Sequence, residues 1–295
     1  MTTSAWNASR NIVVGIDGSP LGEQAVLWAA DEAERQHRGL TLAHVEKQLS
    51  LHEQAWYSGA QIPIHEITDK LRKEGERAVD RARSLACERF PDLGVETLQE
   101  GGDPRSVLLE LSQGAPMVVV GSRGHGRVVG LLLGSVSGAL VRHAACPIAV
   151  VRPTGEGRRG VLVGADGSRA SLVPLEYAFA EASARDLPLT VIHCMWEALI
   201  GKTHWGHVDS ADPEYDEAHL RMSESLAGMS EKYPDVPVHL AVTRGAIDAC
   251  LVDLSQQYDL LVIGRPPHSL SERLVLPGLV ITLAEHSHSP VIVVP

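Results

Sequence analysis

The amino-acid sequence contains two copies of one pattern, and this duplication constrains the fold more than any other feature. Residues 14–19 are Val-Gly-Ile-Asp-Gly-Ser, and residues 163–168, 149 positions later, are Val-Gly-Ala-Asp-Gly-Ser. Further along the offset falls to 143, so that Gly102 matches Gly245. A repeat of this length is a duplicated domain, since solenoid repeats are about 20–45 residues long. The 295 residues are therefore predicted to form two domains, residues 1–154 and 155–295, joined by the Pro-, Gly- and Arg-rich stretch 152–160.

Each copy alternates short apolar runs with longer amphipathic segments, a pattern typical of a parallel sheet wrapped by helices. The predicted strands of the first copy are Asn11–Ile16, Leu40–Val45, Val95–Leu98, Met117–Gly121 and Pro147–Arg152. Those of the second are Val161–Ala165, Leu189–Cys194, Val238–Val242, Leu260–Gly264 and Val291–Val294. The predicted fold class is α/β, with two tandem Rossmann-like domains. Each domain is expected to be a five-stranded, mainly parallel sheet with helices on both faces.

The ends of several elements are marked by particular residues. Ser19 and Asp103 each precede a proline, which predicts an N-cap followed by the first helical residue. A long helix is predicted over Ile64–Arg89, and the residues expected on one side of it are Ile67, Leu71, Ala78, Ala82 and Leu85. The last strand of each copy would otherwise be an exposed apolar sheet edge. We therefore expect these two strands to pair with each other.

A cluster of glycines follows the fourth strand of the first copy. Residues 121–127 are Gly-Ser-Arg-Gly-His-Gly-Arg, and Gly134-Ser135 then open a helix. Glycine lets backbone N–H groups approach a ligand closely, and the first turn of a helix offers unpaired N–H groups and a partial positive charge. A plain strand-to-helix turn would need only one or two glycines. The segment therefore predicts a phosphate-binding loop, to which Arg127 adds a full charge.

These motifs resemble those of the universal stress protein family. The spacing Gly121-x2-Gly124-x9-Gly134-Ser135 is similar to the ATP-binding signature of that family, and residues 14–19 are similar to its first strand and turn. The resemblance covers nearly the whole chain, as two tandem domains. It implies that ATP is the ligand, with Mg²⁺ accompanying its phosphates. By position, the implied contacts are Asp17 and the backbone of Val45 for adenine, Gly15 and Gly102 for the ribose and the adjoining wall, and Gly121, Gly124, Arg127, Gly134, Ser135 and Val136 for the triphosphate.

Two kinds of residue at strand ends have more than one interpretation. Asp17 also fits the role of a turn residue that satisfies helix N–H groups beside Ser19. Its recurrence as Asp166 does not decide between the two roles, because a turn would be duplicated just as faithfully. His44 and His193 end the second strands of their copies, and we interpret them as structural or pocket-wall histidines.

The second copy departs from the glycine signature. Gly264 remains, but Pro267 and Pro277 replace the next two glycines. Proline lacks an N–H donor and fixes φ, so this loop is predicted to be broken as a phosphate cradle. The alternative is that the second copy binds a ligand in a different way, in which side chains donate the hydrogen bonds in place of backbone N–H groups. The candidate donors are Arg265, His268 and Arg273.

Composition and charge narrow the function classes. With 26 Lys and Arg against 37 Asp and Glu, the net charge is −11, so nucleic acid is not expected as a partner. No apolar run approaches the roughly 18 residues of a membrane span, and residues 1–10 lack the apolar core of a signal peptide. We therefore expect a cytoplasmic protein without a membrane partner. The four cysteines have no disulfide or metal-ligand spacing and are interpreted as buried thiols.

The sequence contains no recognisable catalytic constellation. There is no Ser-His-Asp order, no carboxylate pair near the glycine loop and no P-loop lysine, so no catalytic residue and no protein-held metal are predicted. We interpret the chain as an ATP-binding stress or growth regulator that acts through a protein partner, and a homodimer is compatible with this. Two alternatives stay open: a weak ATPase or nucleotidyl-transfer enzyme, and a nucleotide-independent scaffold.

Overall fold

The computed structural model shows the alternation of strands and helices in both copies. It describes residues 10–47, 56, 59–60, 63–124, 133–153, 160–195, 205–209, 212–265 and 278–295. The chain divides into two compact units, which we call unit 1 (residues 1–146) and unit 2 (residues 147–295). None of the helices in the described ranges is long and apolar enough to cross a membrane.

Unit 1 contains a parallel sheet with the strand order β3-β2-β1-β4. Val13, Val14, Val118 and Val119, on the two inner strands, are fully buried, as expected for parallel strands covered on both faces. The elements are β1 (Ile12–Gly15), α1 (Pro20–Arg35), β2 (Leu40–Lys47), α2 (Ile64–Arg89), β3 (Val95–Gly102), α3 (Pro104–Leu111), β4 (Val118–Gly121) and α4 (Ser135–His143). The order changes direction between β1 and β4, which is where open α/β sheets leave a crevice for a ligand.

Unit 2 repeats this arrangement with the strand order β5-β11-β10-β6-β7-β9-β8. Its strands are β5 (Ile148–Val151), β6 (Val161–Gly164), β7 (Leu189–Met195), β8 (Trp205–His207), β9 (Val238–Gly245), β10 (Leu260–Gly264) and β11 (Val291–Val294), and its helices are α5 (Leu172–Arg185), α6 (Pro213–Lys232), α7 (Ile247–Leu254) and α8 (Leu279–His286). Strand β8 pairs antiparallel with β9, and β5 pairs antiparallel with β11, where Ala149 lies opposite Ile292. The predicted pairing of the two last strands is confirmed.

The α/β fold class is confirmed, and each of the ten predicted strands is present. The backbone N–H of Gly22 donates to Ser19 Oγ at 3.1 Å, and the N–H of Arg105 donates to Asp103 Oδ1 at 3.3 Å, so both predicted N-caps are confirmed. The side chain of Arg105 also donates to Asp103, and this hydrogen bond lowers the pKa of that carboxyl group. Strand β8 was not predicted, because a run of three residues carries no periodic signal.

The cysteines are free thiols, but only Cys146 and Cys250 are buried, so the prediction of buried thiols is wrong for the half-buried Cys87 and Cys194. Burial raises the pKa of Cys250 to about 12. At pH 8 the reactive thiolate form of Cys250 is therefore about one part in ten thousand of the population.

We expect a maleimide to label Cys87 quickly and to leave Cys250 unlabelled in the folded chain, as followed by peptide mass spectrometry. Equal labelling rates for the two residues would contradict the burial and the raised pKa of Cys250.

Candidate functional site

The crevice beyond β1 and β4 is bordered by the starts of two helices, α1 and α4. Gly121, the last residue of β4, approaches the first turn of α1 so closely that a Cβ there would lie 2.9 Å from the carbonyl oxygen of Leu21. A side chain at position 121 would therefore push the strand end and the helix apart. The glycine is required for the two elements to meet at this point.

The glycine-rich segment after β4 is closed by two hydrogen bonds at its ends. The backbone N–H of Gly134 donates to the carbonyl oxygen of Ser122 at 3.0 Å, and Ser137 Oγ donates to the carbonyl oxygen of Gly121 at 2.8 Å. Ser137 is buried, and sequence reasoning missed it because no pattern distinguishes it from other helix serines. Arg127 falls in the range 125–132, outside the described residues. The start of α4 is thereby fixed against the end of β4.

The N-terminus of α4 has the properties of an anion site. Its N-cap, Gly134, is extended (φ −69°, ψ 157°), and within the described ranges no side chain caps this helix. Helix α1, in contrast, is capped by Ser19. The first-turn N–H groups of α4, at Ser135 and Val136, have no intrahelical acceptor and carry part of the positive end of the helix dipole.

Asp17 connects this loop to the turn after β1. Its Oδ1 accepts a hydrogen bond from the Ser19 backbone N–H at 3.0 Å, and Asp166 accepts the equivalent bond from Ser168 at 2.9 Å. Asp17 therefore does act as a turn residue, and Asp166 has the same role in unit 2. In addition, Gly124 lies directly against the Asp17 carboxylate, where any Cβ would collide with Oδ2. The structure thus brings two predicted site residues, Asp17 and Gly124, into contact.

Asp17 also lines a cleft of about 720 Å³ between the ends of β1 and β2 and the helix α2. Its apolar wall contains Val45 together with Ile67, Leu71 and Ala78 of α2. The last three were predicted on the same side of α2 as Ala82, but they are only half-buried, whereas Ala82 is buried. All four residues line the cleft, and Ala82 is the one that is also buried in the core.

His44 forms part of the floor of this cleft. Its Nδ1 lies 3.0 Å from the carbonyl oxygen of Ile16, and since a carbonyl oxygen only accepts, Nδ1 must carry the hydrogen. In the neutral ring Nε2 is then an acceptor, and it lies against Gly75 of α2, where a Cβ would collide with it. His193 makes the same main-chain contact with Ala165 at 3.1 Å. His44 is thus both a structural and a pocket-wall histidine, as predicted.

Among the described residues that line the cleft, negative charges outnumber positive ones. The charged ones are Asp17, Glu23, Glu46, Glu74, Arg77 and Arg81. Arg81 pairs with Glu23, with a distance of 3.2 Å from Nη2 to Oε2, and this pairing raises the pKa of Arg81. The other charged residues of this set are three carboxylates and Arg77. Such a cleft favours a neutral or cationic group, such as a nucleobase, over a phosphate.

The two glycines assigned to the ribose do not line this cleft. A Cβ on Gly15 would lie 3.0 Å from Leu108 Cδ1 and 3.2 Å from Val120 Cγ1, so Gly15 is needed for close core packing. Gly164 has the same relation to Leu251, at 3.1 Å. Gly102 ends β3, and the nearest atom to a Cβ there is a Val107 methyl at 3.7 Å. The duplication of Gly15 therefore has a packing reason.

In unit 2 the described ends of the corresponding loop have a different geometry. A Cβ on Gly264 would lie 2.8 Å from the ring of Pro174. Gly278, before α8, has φ of +102°, whereas Gly134 before α4 has φ of −69°. Pro267 and Pro277, on which the predicted break depends, lie outside the described residues, and so do His268 and Arg273 of its alternative. Arg265, the other candidate donor, is described, and its backbone N–H donates to the carbonyl oxygen of Val294 at 2.7 Å.

Comparisons with known proteins agree on one family. The model of the universal stress protein family matches residues 8–152 and 157–295. A universal stress protein of Mycobacterium tuberculosis is 32% identical over 299 residues, covering 98% of each chain. Another from the same species is 34% identical over 280 residues, covering 88% of this chain and 87% of its own. The crystal structure of a universal stress protein from Archaeoglobus fulgidus covers 98% of this chain and 97% of its own, with a TM-score of 0.70 and 17% identity. That structure supports the fold.

Proposed function

Because this chain belongs to the universal stress protein family, we propose that it is a cytoplasmic regulator that binds ATP in unit 1. Occupancy of the site would alter its contacts with a protein partner. The observation that carries the proposal is the start of α4, which no side chain in the described part of the chain caps and which is fixed to the end of β4 through Gly121 and Gly134. Glycine loops followed by a helix N-terminus bind phosphate groups through backbone N–H donors.

The charges around the site suggest how ATP would be oriented. The triphosphate would bind at the first turn of α4, and the adenine would enter the cleft lined by Val45, Leu71 and Ala78. The cleft volume of about 720 Å³ lies within the roughly 300–1,000 Å³ of typical ligand pockets. The excess of carboxylates among the lining residues that the structure describes would keep the phosphates out and so favour one direction of binding. Mg²⁺ would be held mainly by phosphate oxygens and water, as is usual for this ion, and would neutralise phosphate charge.

We propose binding without catalysis. Transfer of a γ-phosphate needs a group that orients or deprotonates the nucleophile and a cation that stabilises the transition state. We do not assign the role of orienting or deprotonating the nucleophile to any of the predicted site residues. Asp17 lies between the cleft and the loop, but its Oδ1 accepts the hydrogen bond from the Ser19 N–H. His44 contacts the main chain at Ile16 and lies against Gly75.

We expect calorimetry on nucleotide-stripped protein to find about one ATP per chain, in unit 1. Mass spectrometry of the nucleotide released from denatured, freshly purified protein would identify the natural ligand. Two sites of equal affinity would contradict the assignment to unit 1 alone, and no binding at millimolar Mg-ATP would contradict the proposal as a whole. Multiple-turnover phosphate release that is lost when Gly121 or Gly124 is changed would instead favour an ATPase.

A further inference from the structure

The sheet registers allow α2 and α6 to be compared residue by residue. In unit 1 Leu40 pairs with Val95, and in unit 2 Leu189 pairs with Val238, which confirms the change of offset from 149 to 143 between these strands. The helices before the second strand of each pair end at equivalent positions: the N–H of Phe90 bonds to Ala86, and that of Tyr233 bonds to Met229. The offset of 143 therefore holds along the C-terminal part of both helices.

At two consecutive positions the residues of α6 have longer side chains than those of α2. Ala78 corresponds to Arg221, and Val79 corresponds to Met222. In unit 1, Ala78 lines the cleft together with Gly18, a residue of the turn after β1. Between α2 and this turn, the residues that the structure describes therefore leave an open space.

In unit 2 the corresponding contact is closed. Gly167 is the counterpart of Gly18 and has the same positive φ, +75° against +79°. A Cβ on Gly167 would lie 3.1 Å from Cγ and Cδ of Arg221 and 3.4 Å from Sδ of Met222. Met222 is 0% exposed. The head group of Arg221 reaches solvent, where it donates to Glu217 at 2.8 Å. The aliphatic stem of Arg221 thus covers the turn while its charge remains hydrated.

We propose that these helix positions determine whether a unit accepts an adenine base. Ala78 leaves the cleft of unit 1 open, whereas Arg221 and Met222 fill the corresponding space of unit 2. This inference rests on the proposed function, because the adenine occupant comes from it. It adds a second barrier in unit 2, at the base end of the site and independent of the phosphate loop. The turn, the packing glycine and the pocket histidine are all duplicated in unit 2, so these three features do not account for a difference between the base ends of the two units.

The first test closes the cleft of unit 1 in the full chain. Ala78→Arg reproduces the residue of unit 2, and Ala78→Met fills the same space without a charge that attracts phosphate. We expect both variants to weaken binding of ATP and of adenosine at least about tenfold in calorimetry, because a close-packed site does not readily accommodate added atoms. Ser84→Arg adds the same charge to an exposed position of α2 and should leave both affinities within about twofold of the parent.

The second test opens unit 2. The variants are Arg221→Ala and the double change Arg221→Ala with Met222→Val. Adenosine is the probe, because it needs no phosphate loop. In equilibrium dialysis we expect the double variant to bind about two adenosine molecules per chain where the parent binds about one. Arg221→Ala alone removes a side chain that is 53% exposed, and it should show the same gain more weakly if the double variant does not fold.

The outcomes separate this inference from the proposed function. A parent chain that binds neither ATP nor adenosine contradicts the proposed function, and this inference fails with it. A parent chain that binds both, with Ala78→Arg and Ala78→Met variants that bind equally well, overturns this inference alone. So does a folded double variant that still binds one adenosine.

Discussion

Gly134→Glu is expected to weaken ATP binding at least about 100-fold while the chain stays folded. Gly134 is extended, and the nearest described atom to a Cβ there would be Ser137 Oγ at 3.7 Å, so the backbone tolerates a side chain. A carboxylate at the start of α4 interacts favourably with the helix dipole. The same carboxylate would repel the phosphates and compete for their N–H donors. Two charge-assisted hydrogen bonds at about 1.5–3 kcal/mol each exceed the roughly 2.7 kcal/mol that corresponds to 100-fold.

Calorimetry at constant ionic strength measures this loss, and circular dichroism with thermal melting checks the fold. Gly134→Gln is the matched control, because it has the same shape without the charge. It should lose much less affinity than Gly134→Glu. If Gly134→Glu binds ATP as the parent does, the start of α4 is not the phosphate site.

The fold could be predicted because its determinants occur twice in the sequence. Continuous apolar runs such as those of β1 and β4 predict buried parallel strands, and Ser19 and Asp103 before proline predict helix starts. Gly15 and Gly164 recur because both pack against a leucine, and His44 and His193 recur because both bond a main-chain carbonyl group. Each of these signals depends on a few neighbouring residues, so sequence order alone reveals it.

The candidate site could be predicted only in part. Helical periodicity placed Ile67, Leu71 and Ala78 on one side of α2, but periodicity does not say whether the facing surface is complete, and here it is a cleft. The hydrogen bond from Ser137 to Gly121 joins residues that no motif relates. The covering of Gly167 by Arg221 depends on how α6 lies over the turn. These contacts are tertiary, and a linear pattern does not encode them.

ATP at a hundredfold excess over its Kd is expected to raise the free energy of unfolding by about 2.7 kcal/mol, since a ligand that binds only the folded state stabilises it by mass action. The increase should appear in the transition of unit 1 if the two units unfold separately, and in a single transition if they unfold together. Differential scanning calorimetry of stripped protein with and without Mg-ATP measures it. Gly134→Glu under the same conditions should show almost none of the increase.

Unit 2 provides the internal control for this measurement, and it separates the two ends of the site. Replacing Pro267 and Pro277 by glycine restores the signature positions of the phosphate loop, but Arg221 and Met222 still fill the space next to Gly167. We therefore expect the two glycines alone to add little ATP-dependent stability. Combined with Arg221→Ala and Met222→Val, they should add an increment that neither pair produces alone, because phosphate and base must be held together for tight binding. If the two glycine changes alone raised the ATP-dependent stability as much as all four changes together, the loop alone would account for the lack of ATP binding in unit 2.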